Sequence, residues 1–586
     1  MDWQSAQPLG GAGFATLSPK GFSGGAQRGP IYSDGNVSVA LDGVLDNRGE
    51  LIPLLQAGDL DTGDPGLIAE AYHRWGADCS KHLIGEYVFV VWDERRQRLV
   101  ASRDAFGTRE IFYSIDEDWV QLGSQVWQLK ESVGLKDLNP EFLSGMLACG
   151  IVIDGSTPLK GVERLKAGET LVVEGRNVRT LQAWSLSEDV RSSACNEPQE
   201  YVERFAELFH EAVELCLETP GRVSAELSGG LDSSAIVAVA AKSLSAEDGN
   251  WALPTVTLTW PETTQSDESA WARLVARETG VENVHVPCES AFFDQAISAA
   301  ELRSEPHFGI LCFPMHTKEV EAFRQLNTDV LLSGSRAEAV VLDQLPPIHL
   351  ADQLRQGQFR QLWKDIPKWQ EHLCEPLLNV VSWYCLRPLF TSRSLEESID
   401  GQYSLPPFLD VRFARETEIE SRVGPHRPKV FSSPAMQHQF EMLGHSEQML
   451  HRGYVDLAFE CRYPFLYRPL VDHCFSTPWE VKHQPGRPKT LLREGLKHVL
   501  PDQVTRRQGS TSPTYAALKT LQRNPDILRD LEDPILAEIG AVDRDRWNQA
   551  LKQLRHGRCY DFAGFTTCIA TEYWIRAHCI PKGLRE

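Results

Sequence analysis

Thirteen cysteines are spread over 586 residues, from Cys79 to Cys579, without a single C-x-x-C and without a Cys/His pair at zinc-ligand spacing. An odd, dispersed set of thiols excludes a disulfide framework and points to a reducing, cytosolic setting. No basic block stands out. Lys+Arg 59 against Asp+Glu 81 leaves a net charge of −22, which disfavours nucleic acid and anionic membrane as partners. The start, MDWQSAQPLGG, has no basic segment followed by an apolar one, so no signal peptide is read. Apolar runs such as Tyr87 to Trp92 stop at strand length, far short of a membrane span. There is no internal repeat, no low-complexity tract, and no G-x-x-x-x-G-K-[ST] loop of the kind that holds a β/γ-phosphate. These absences lead to the expectation of a soluble, cytoplasmic protein. What remains is ordinary, with 42% hydrophobic and 24% charged residues and enough length for two or more domains.

Residues 1–184 read as strand-rich. VSVALDGVLDN (37–47), GEYVFVVWD (85–93), RLVASRD (98–104) and ETLVVEG (169–175) are alternating or β-branched, with Gly, Asp and Asn turns between them. A helical stretch at residues 66–75 interrupts them. Residues 185–200 are polar and periodless, as a linker would be. From Tyr201 helices alternate with short apolar strands at 255–260, 283–287 and 329–334, which implies a parallel sheet covered by helices. Beyond residue 345 the pattern is mostly helical.

The most informative string is GRVSAELSGGLDSSAIV, residues 221–237. A β-like run from Val223 to Leu227 stops at Ser228-Gly229-Gly230, and a helix-like run begins just after Asp232. Glycines after a strand let amide N–H groups approach an anion, and the helix that follows adds unpaired N–H groups and the positive end of its dipole. Ser228, Ser233 and Ser234 offer hydroxyl donors, and Asp232 has the charge for the Mg²⁺ that accompanies a phosphate. The other reading, a Gly/Ser turn that binds nothing, is the weaker one because strand, loop, acid and helix follow in order. The string is similar to the S-G-G-x-D-S loop of ATP pyrophosphatases, which cleave ATP between the α- and β-phosphates. That resemblance implies ATP and Mg²⁺ as cofactors, an acyl-adenylate as product, and Ser228, Gly229, Gly230, Leu231, Asp232, Ser233, Ser234 and Leu258 as nucleotide-binding residues.

Over nearly its whole length the chain resembles the class B asparagine synthetase superfamily. LDGVLDNRGEL (41–51), GEYVFVVWD and SRDAFGTREIFY (102–113) look like the core strands and R-D-x-x-G stretch of its first domain. SDESAWARLVARETG (266–280), YPFLYRPLVDHCFSTPWEVK (463–482) and KTLLREGLKHVLPDQVTRRQ (489–508) look like parts of its second. The resemblance implies a two-domain protein of mixed α/β and α+β class. Residues 1–184 are then a vestigial glutaminase-like β-sandwich with helices, of the N-terminal-nucleophile type. Residues 201–586 form a parallel-sheet ATP pyrophosphatase domain with a helical C-terminal part.

Three departures matter. Glutaminases of this type use cysteine as residue two, activated by the free α-amino group, whereas Asp2 stands here and no cysteine precedes Cys79. Glutamine hydrolysis is therefore expected to be absent. Where relatives carry a G-x-G-x-D-E-like turn, the chain reads Ser333 to Ala339, and Glu338 is either a second Mg²⁺ ligand beside Asp232 or a surface, helix-capping acid. Where relatives place a lysine near the pyrophosphate the chain has Gly509, so Arg506, Arg507, Arg487 or Lys489 supplies the charge or is simply a surface cation. Asp232, Lys489 and Arg507 are the residues assigned to catalysis. Trp271, Trp479 and Trp574 read as packing residues.

Without glutamine-derived ammonia the nitrogen nucleophile must be an amine on the substrate. The C-terminal signatures look most like lasso-peptide macrolactam synthetases, the lasso cyclases. This implies a precursor (core) peptide as substrate, with a leader-binding protein and a leader peptidase as partners. A β-lactam synthetase, an ammonia-dependent asparagine synthetase and a non-catalytic peptide-binding scaffold are the alternatives.

Overall fold

Val37, Val39 and Leu41 share one face of a nine-residue strand and are buried on it, the period of two that a half-packed sheet requires. The computed structural model describes residues 31–581 except 57–62, 117–118, 131–132, 150–154, 187–194, 196, 247–251, 344–345, 391–404, 420–429, 451–457, 510, 525 and 559–561. It also describes a two-stranded ladder of β1 (Gln4–Ser5) and β2 (Ala15–Thr16). Asp2 lies outside the described residues.

The first region is built on a six-stranded antiparallel sheet. It comprises β3 (Ile31–Ser33), β4 (Val37–Leu45), β5 (Gly85–Asp93), β6 (Arg98–Arg103), β10 (Glu169–Glu174) and β11 (Asn177–Gln182), in the order β11-β10-β6-β5-β4-β3. One face packs Val39, Phe89, Val91 and Val172 against Leu67, Ile68 and Tyr72 of α2 (Gly63–Trp75) and Leu51 of α1 (Arg48–Leu55). The other face packs Val88, Ala101, Leu171 and Val173 against residues of a three-stranded sheet, β7 (Phe112–Ile115), β8 (Val120–Gly123) and β9 (Glu163–Arg164). The expected strands at 37–47, 85–93, 98–104 and 169–175 all lie in the larger sheet. The short strands of the smaller sheet carry little alternation of their own and gave no signal.

The second region holds the parallel sheet. β12 (Val223–Glu226), β13 (Thr255–Thr259), β14 (Asn283–Pro287), β15 (Val330–Leu332) and β16 (Glu460–Arg462) run in the order β14-β13-β12-β15-β16. Every pairing is parallel. The three-residue β16 falls in the part read as helical, and three residues are too few to show a period. α4 (Pro198–Leu217) starts inside the span read as linker, with proline in the first turn where its missing N–H costs nothing. The apolar α5 (Leu231–Ala246) and the amphipathic α6 (Ser269–Thr279) cover the sheet, burying Ile236, Val237, Val239, Ala272 and Val275 with Ala225, Leu227 and Val256.

The two regions share cores and charges. α3 (Pro140–Cys149) buries Leu143 and Leu147 with Cys568 and Ile569 of the C-terminal helix Phe562–Cys579. Arg462, at the end of β16, reaches Asp46 at 2.6 Å and Glu86 at 3.3 Å, and Arg109 pairs with Glu460. The described cysteines are free thiols, and no helix among the described residues is long and apolar enough to cross a membrane.

Candidate active site

The chain leaves β12 for β13 and β14 on one side, then returns for β15 and β16 on the other. In an open parallel sheet the crevice at such a reversal, outside the carboxyl ends of the strands, is where ligands bind. Ser228-Gly229-Gly230 stands there, between β12 and α5. So does Ser333-Gly334-Ser335, after β15.

Gly229 has φ +87°, and a Cβ on it would lie 2.8 Å from the Glu268 carbonyl oxygen and 2.9 Å from Ala272 N. The loop can therefore press on the start of α6 only with glycine at that position. A Cβ on Gly334 would lie 3.1 Å from Ser233 N and 3.4 Å from the Asp232 carbonyl carbon, so the second turn abuts the first turn of α5. Ser233 Oγ accepts from Ser228 N at 3.2 Å and sits 3.0 Å from Ser228 Oγ, which accepts from Gly230 N at 3.2 Å. The serine hydroxyls thus shape the loop. Ser234 is fully buried with its Oγ unpartnered, and Leu231 anchors the turn in the core. Leu258 is half-buried on β13, one strand away, packed against the apolar cluster that includes Trp260.

Asp232 falls in the first turn of α5 rather than ahead of it. Lys489 Nζ lies 2.5 Å from its Oδ2 and 3.5 Å from Asp343 Oδ2. The Asp232 carboxyl is raised to about 6, chiefly by burial, with Lys489 pulling it down and the Glu338 and Asp343 charges pushing it up. Burial disfavours the Lys489 ammonium, yet Asp232, Asp343 and Glu338 together hold it above the ordinary lysine range. Asp232 and Asp343 thus face one ammonium, the exposed Glu338 adds its charge nearby, and Asp232 Oδ1 is buried without a partner. That surplus fits a divalent cation. Among the described residues no three His, Cys, Asp or Glu side chains converge into a complete metal cage. Mg²⁺ needs none, because it binds through one or two carboxylates and fills its remaining positions with water and substrate phosphates.

Of the four cations considered in place of the lysine at Gly509, two reach the loop. Lys489 does so at Asp232. Arg507 donates to the Gly229 carbonyl at 2.7 Å, pairs with Glu268 and lies 5.1 Å over the Trp271 ring. Its guanidinium therefore braces the loop, and Trp271 packs as expected while holding it. Arg506 pairs with Asp502 at 3.1 Å on the surface, and Arg487 with Glu494 at 2.6 Å. A cavity of about 460 Å³ opens on Trp271, Arg506, Arg507 and Gly509, beside the loop. Trp574 is buried and donates to the Arg303 carbonyl at 2.9 Å, and Trp479 packs 4.5 Å from Lys482 Nζ.

Asp343, Glu268 and Arg493 were not singled out from the sequence. Lys489 and Arg493, four residues apart as neighbours on a helix would be, were the available signal, although Lys489 is the left-handed residue just before the helix Thr490–Gly495. Arg493 donates to the Pro488 carbonyl at 2.7 Å and the Thr505 carbonyl at 2.5 Å, tying the Lys489 segment to the short helix Asp502–Arg506 that Arg507 follows.

Residues 204–576 match the asparagine synthase family, and residues 13–184 match the glutamine amidotransferase domain. The chain belongs to the asparagine synthase family. Among curated relatives, asparagine synthetase [glutamine-hydrolyzing] 3 of Bacillus subtilis is 24% identical over 554 residues, 89% of this chain and 83% of the relative. Amidase chry2 of Gibberella zeae is 29% identical over 236 residues, 37% of this chain and 34% of the relative. As a member of the asparagine synthase family the chain is an ATP-dependent enzyme that forms carbon–nitrogen amide bonds.

Proposed function

We propose that the chain is an AMP-forming macrolactam synthetase that closes an isopeptide-bonded ring on a ribosomally made peptide. One observation supports this reading: the Ser228–Ser234 string is present with Asp232 paired to Lys489, while Asp2 stands where the resemblance implies cysteine. The first thiol, Cys79, is fully buried and pushed up to about 12 by that burial, so it offers no replacement nucleophile. The amine must then arrive on the substrate. The C-terminal resemblance to lasso cyclases favours a peptide over a β-amino acid.

In this reaction an Asp or Glu side-chain carboxylate of the linear core peptide attacks the α-phosphorus of ATP. The bond from the α-phosphorus to the bridging oxygen breaks, and pyrophosphate leaves. The Gly229 N–H and those at the start of α5 bind the departing phosphates, with the Lys489 ammonium alongside, while the Ser228 and Gly230 N–H groups stay on the serine hydroxyls that shape the loop. Asp232, with Glu338 and Asp343 beside it, would hold Mg²⁺, which neutralises charge on the phosphates. The peptide's N-terminal amine then attacks the acyl carbon, the amide bond forms, and AMP departs with the acyl oxygen. Arg507 keeps Gly229 in register by gripping its carbonyl. The cavity beside Gly509 gives the peptide its approach, and holding the threaded chain so that amine meets anhydride supplies the effective concentration the ring closure needs.

Incubation with ATP, Mg²⁺ and the core peptide, freed of its leader by a leader-binding protein and a peptidase, should yield a product lighter by one water, with AMP and pyrophosphate. Asparagine formed efficiently from aspartate and ammonium, or a β-amino acid cyclised instead, overturns the macrolactam reading and leaves the family activity standing. Glutamate released from glutamine overturns the vestigial reading of the first domain.

A further inference from the structure

The short helix Ala337–Val341, which carries Glu338, is bracketed by two left-handed residues, Arg336 at φ +69° and Leu342 at φ +57°. Neither is glycine, and five residues do not hold a helix by themselves, so its geometry is imposed from outside. Three anchors impose it. Gln439 Nε2 donates to the Ala339 and Val340 carbonyls at 3.3 and 3.2 Å, and its amide is oriented by Lys482, a donor only, at 3.1 Å from Oε1. Lys489 N donates to the Leu342 carbonyl at 2.9 Å. The third anchor, the buried Arg336 guanidinium, donates to Leu443 O at 3.1 Å and to Phe106 O at 2.7 Å.

Phe106 belongs to the other domain, in the turn of its R-D-x-x-G stretch. That turn is over-determined. Arg103 is fully buried and donates to the carbonyls of Arg109 at 2.6 Å, Leu165 at 2.9 Å and Gly107 at 2.9 Å. The fully buried Asp104 accepts from Phe106 N at 2.9 Å and from Thr108 N and Oγ1 at 2.8 Å each.

We infer that the N-terminal domain positions the adenylating site: its Arg103–Gly107 turn, through Arg336, holds the Ser333–Asp343 segment so that Glu338 and Asp343 face Asp232 and Lys489. A domain without its nucleophile thereby keeps a function, and Arg336 is the positioning residue. The consequence for metal binding rests on the reading of Glu338 and Asp343 as metal-side carboxylates, whereas the positioning itself does not.

The test uses the full chain and two measurements. Hydrogen–deuterium exchange over residues 333–343, without metal or nucleotide, reads the positioning. Mn²⁺ titration by electron paramagnetic resonance, with α,β-methylene-ATP present, reads the site. Arg336→Gly keeps the left-handed backbone and deletes the guanidinium, Arg336→Lys restores one donor, and Asp104→Ala loosens the turn in the other domain. Exchange over 333–343 should rise about tenfold or more in Arg336→Gly and in Asp104→Ala, and should recover partly in Arg336→Lys. The double variant should exchange no faster than Arg336→Gly alone. Mn²⁺ affinity should fall in parallel, by about tenfold. Unchanged exchange in either single variant, or additive effects in the double, overturns the inference. Faster exchange with unchanged Mn²⁺ affinity upholds the positioning and removes Glu338 and Asp343 from the metal side. Should Arg336→Gly fail to fold, Arg336→Lys and Asp104→Ala decide the matter by the same exchange measurement.

Discussion

Lys489 and Asp232 meet at 2.5 Å although 257 residues separate them. The contact joins the first turn of α5 to the start of the helix Thr490–Gly495, where Lys489 itself is left-handed at φ +56°. It is the point where the Ser228–Ser234 loop segment and the C-terminal segment 489–508 meet. Asp232→Asn keeps the size and removes the charge, and Lys489→Met leaves Asp232 among like charges without its cation. Each should lower ATP–pyrophosphate exchange by roughly 100-fold or more, the loss typical when one charge-stabilising partner is removed from such a site. Exchange near the wild-type rate in Asp232→Asn would sink the site assignment.

Two further carboxylates act on that pair. Glu338→Gln and Asp343→Asn each remove one negative charge from the surroundings of Lys489 and Asp232. Each should raise the Mg²⁺ concentration for half-maximal activity several-fold, with a smaller effect on the ATP requirement. An unchanged Mg²⁺ dependence in Glu338→Gln makes Glu338 the surface acid of the other reading, and leaves Asp343 as the second carboxylate.

What could be read without coordinates followed physical lines. The nine-residue strands β4 and β5 declare themselves by alternating or β-branched residues, and the loop after β12 by its order of strand, glycine, acid and helix. Contacts made at long range do not. Asp343, one residue after a strained Leu342, has no local pattern, and Glu268 looks like any acid at a helix start until Arg507 and Thr511 N are found on it. The choice among Arg487, Lys489, Arg506 and Arg507 had the same cause, since four cations within 21 residues differ only in where tertiary structure sends them. β16 is legible only from its partner β15.

Gly229→Ala tests whether the loop's closeness to α6 is required. The added Cβ meets backbone atoms of Glu268 and Ala272 inside 3.0 Å, and the residue must also keep φ at +87°. Left-handed strain alone costs about 1–3 kcal/mol, and backbone neighbours cannot move aside as a side chain would. The variant should lose measurable ATP binding by calorimetry while far-ultraviolet circular dichroism stays near that of the wild type. Full ATP affinity would mean that the loop does not rest on α6 as described.

His438 offers a test of the interior away from the site. It is 6% exposed, neither ring nitrogen has a partner, and burial alone pushes its imidazole down to about 4 from an ordinary 6.5. The folded chain therefore keeps His438 neutral where the unfolded chain binds a proton. Stability due to this residue is complete above about pH 6.5 and falls as pH drops toward 4, where the loss levels off at about 3 kcal/mol. Asp46 and Asp472, each pushed up to about 6 by burial, act in the opposite sense over part of that range, so the wild-type curve alone is not diagnostic. His438→Phe isolates the term. Phenylalanine fills a similar volume without two buried, unpaired nitrogens, so the variant should melt higher than the wild type at pH 7. Its advantage should then grow steadily between pH 6.5 and pH 4, as read by thermal unfolding of both proteins across that range. A difference in melting temperature that stays flat with pH would show that His438 is protonated, or paired, within the folded chain.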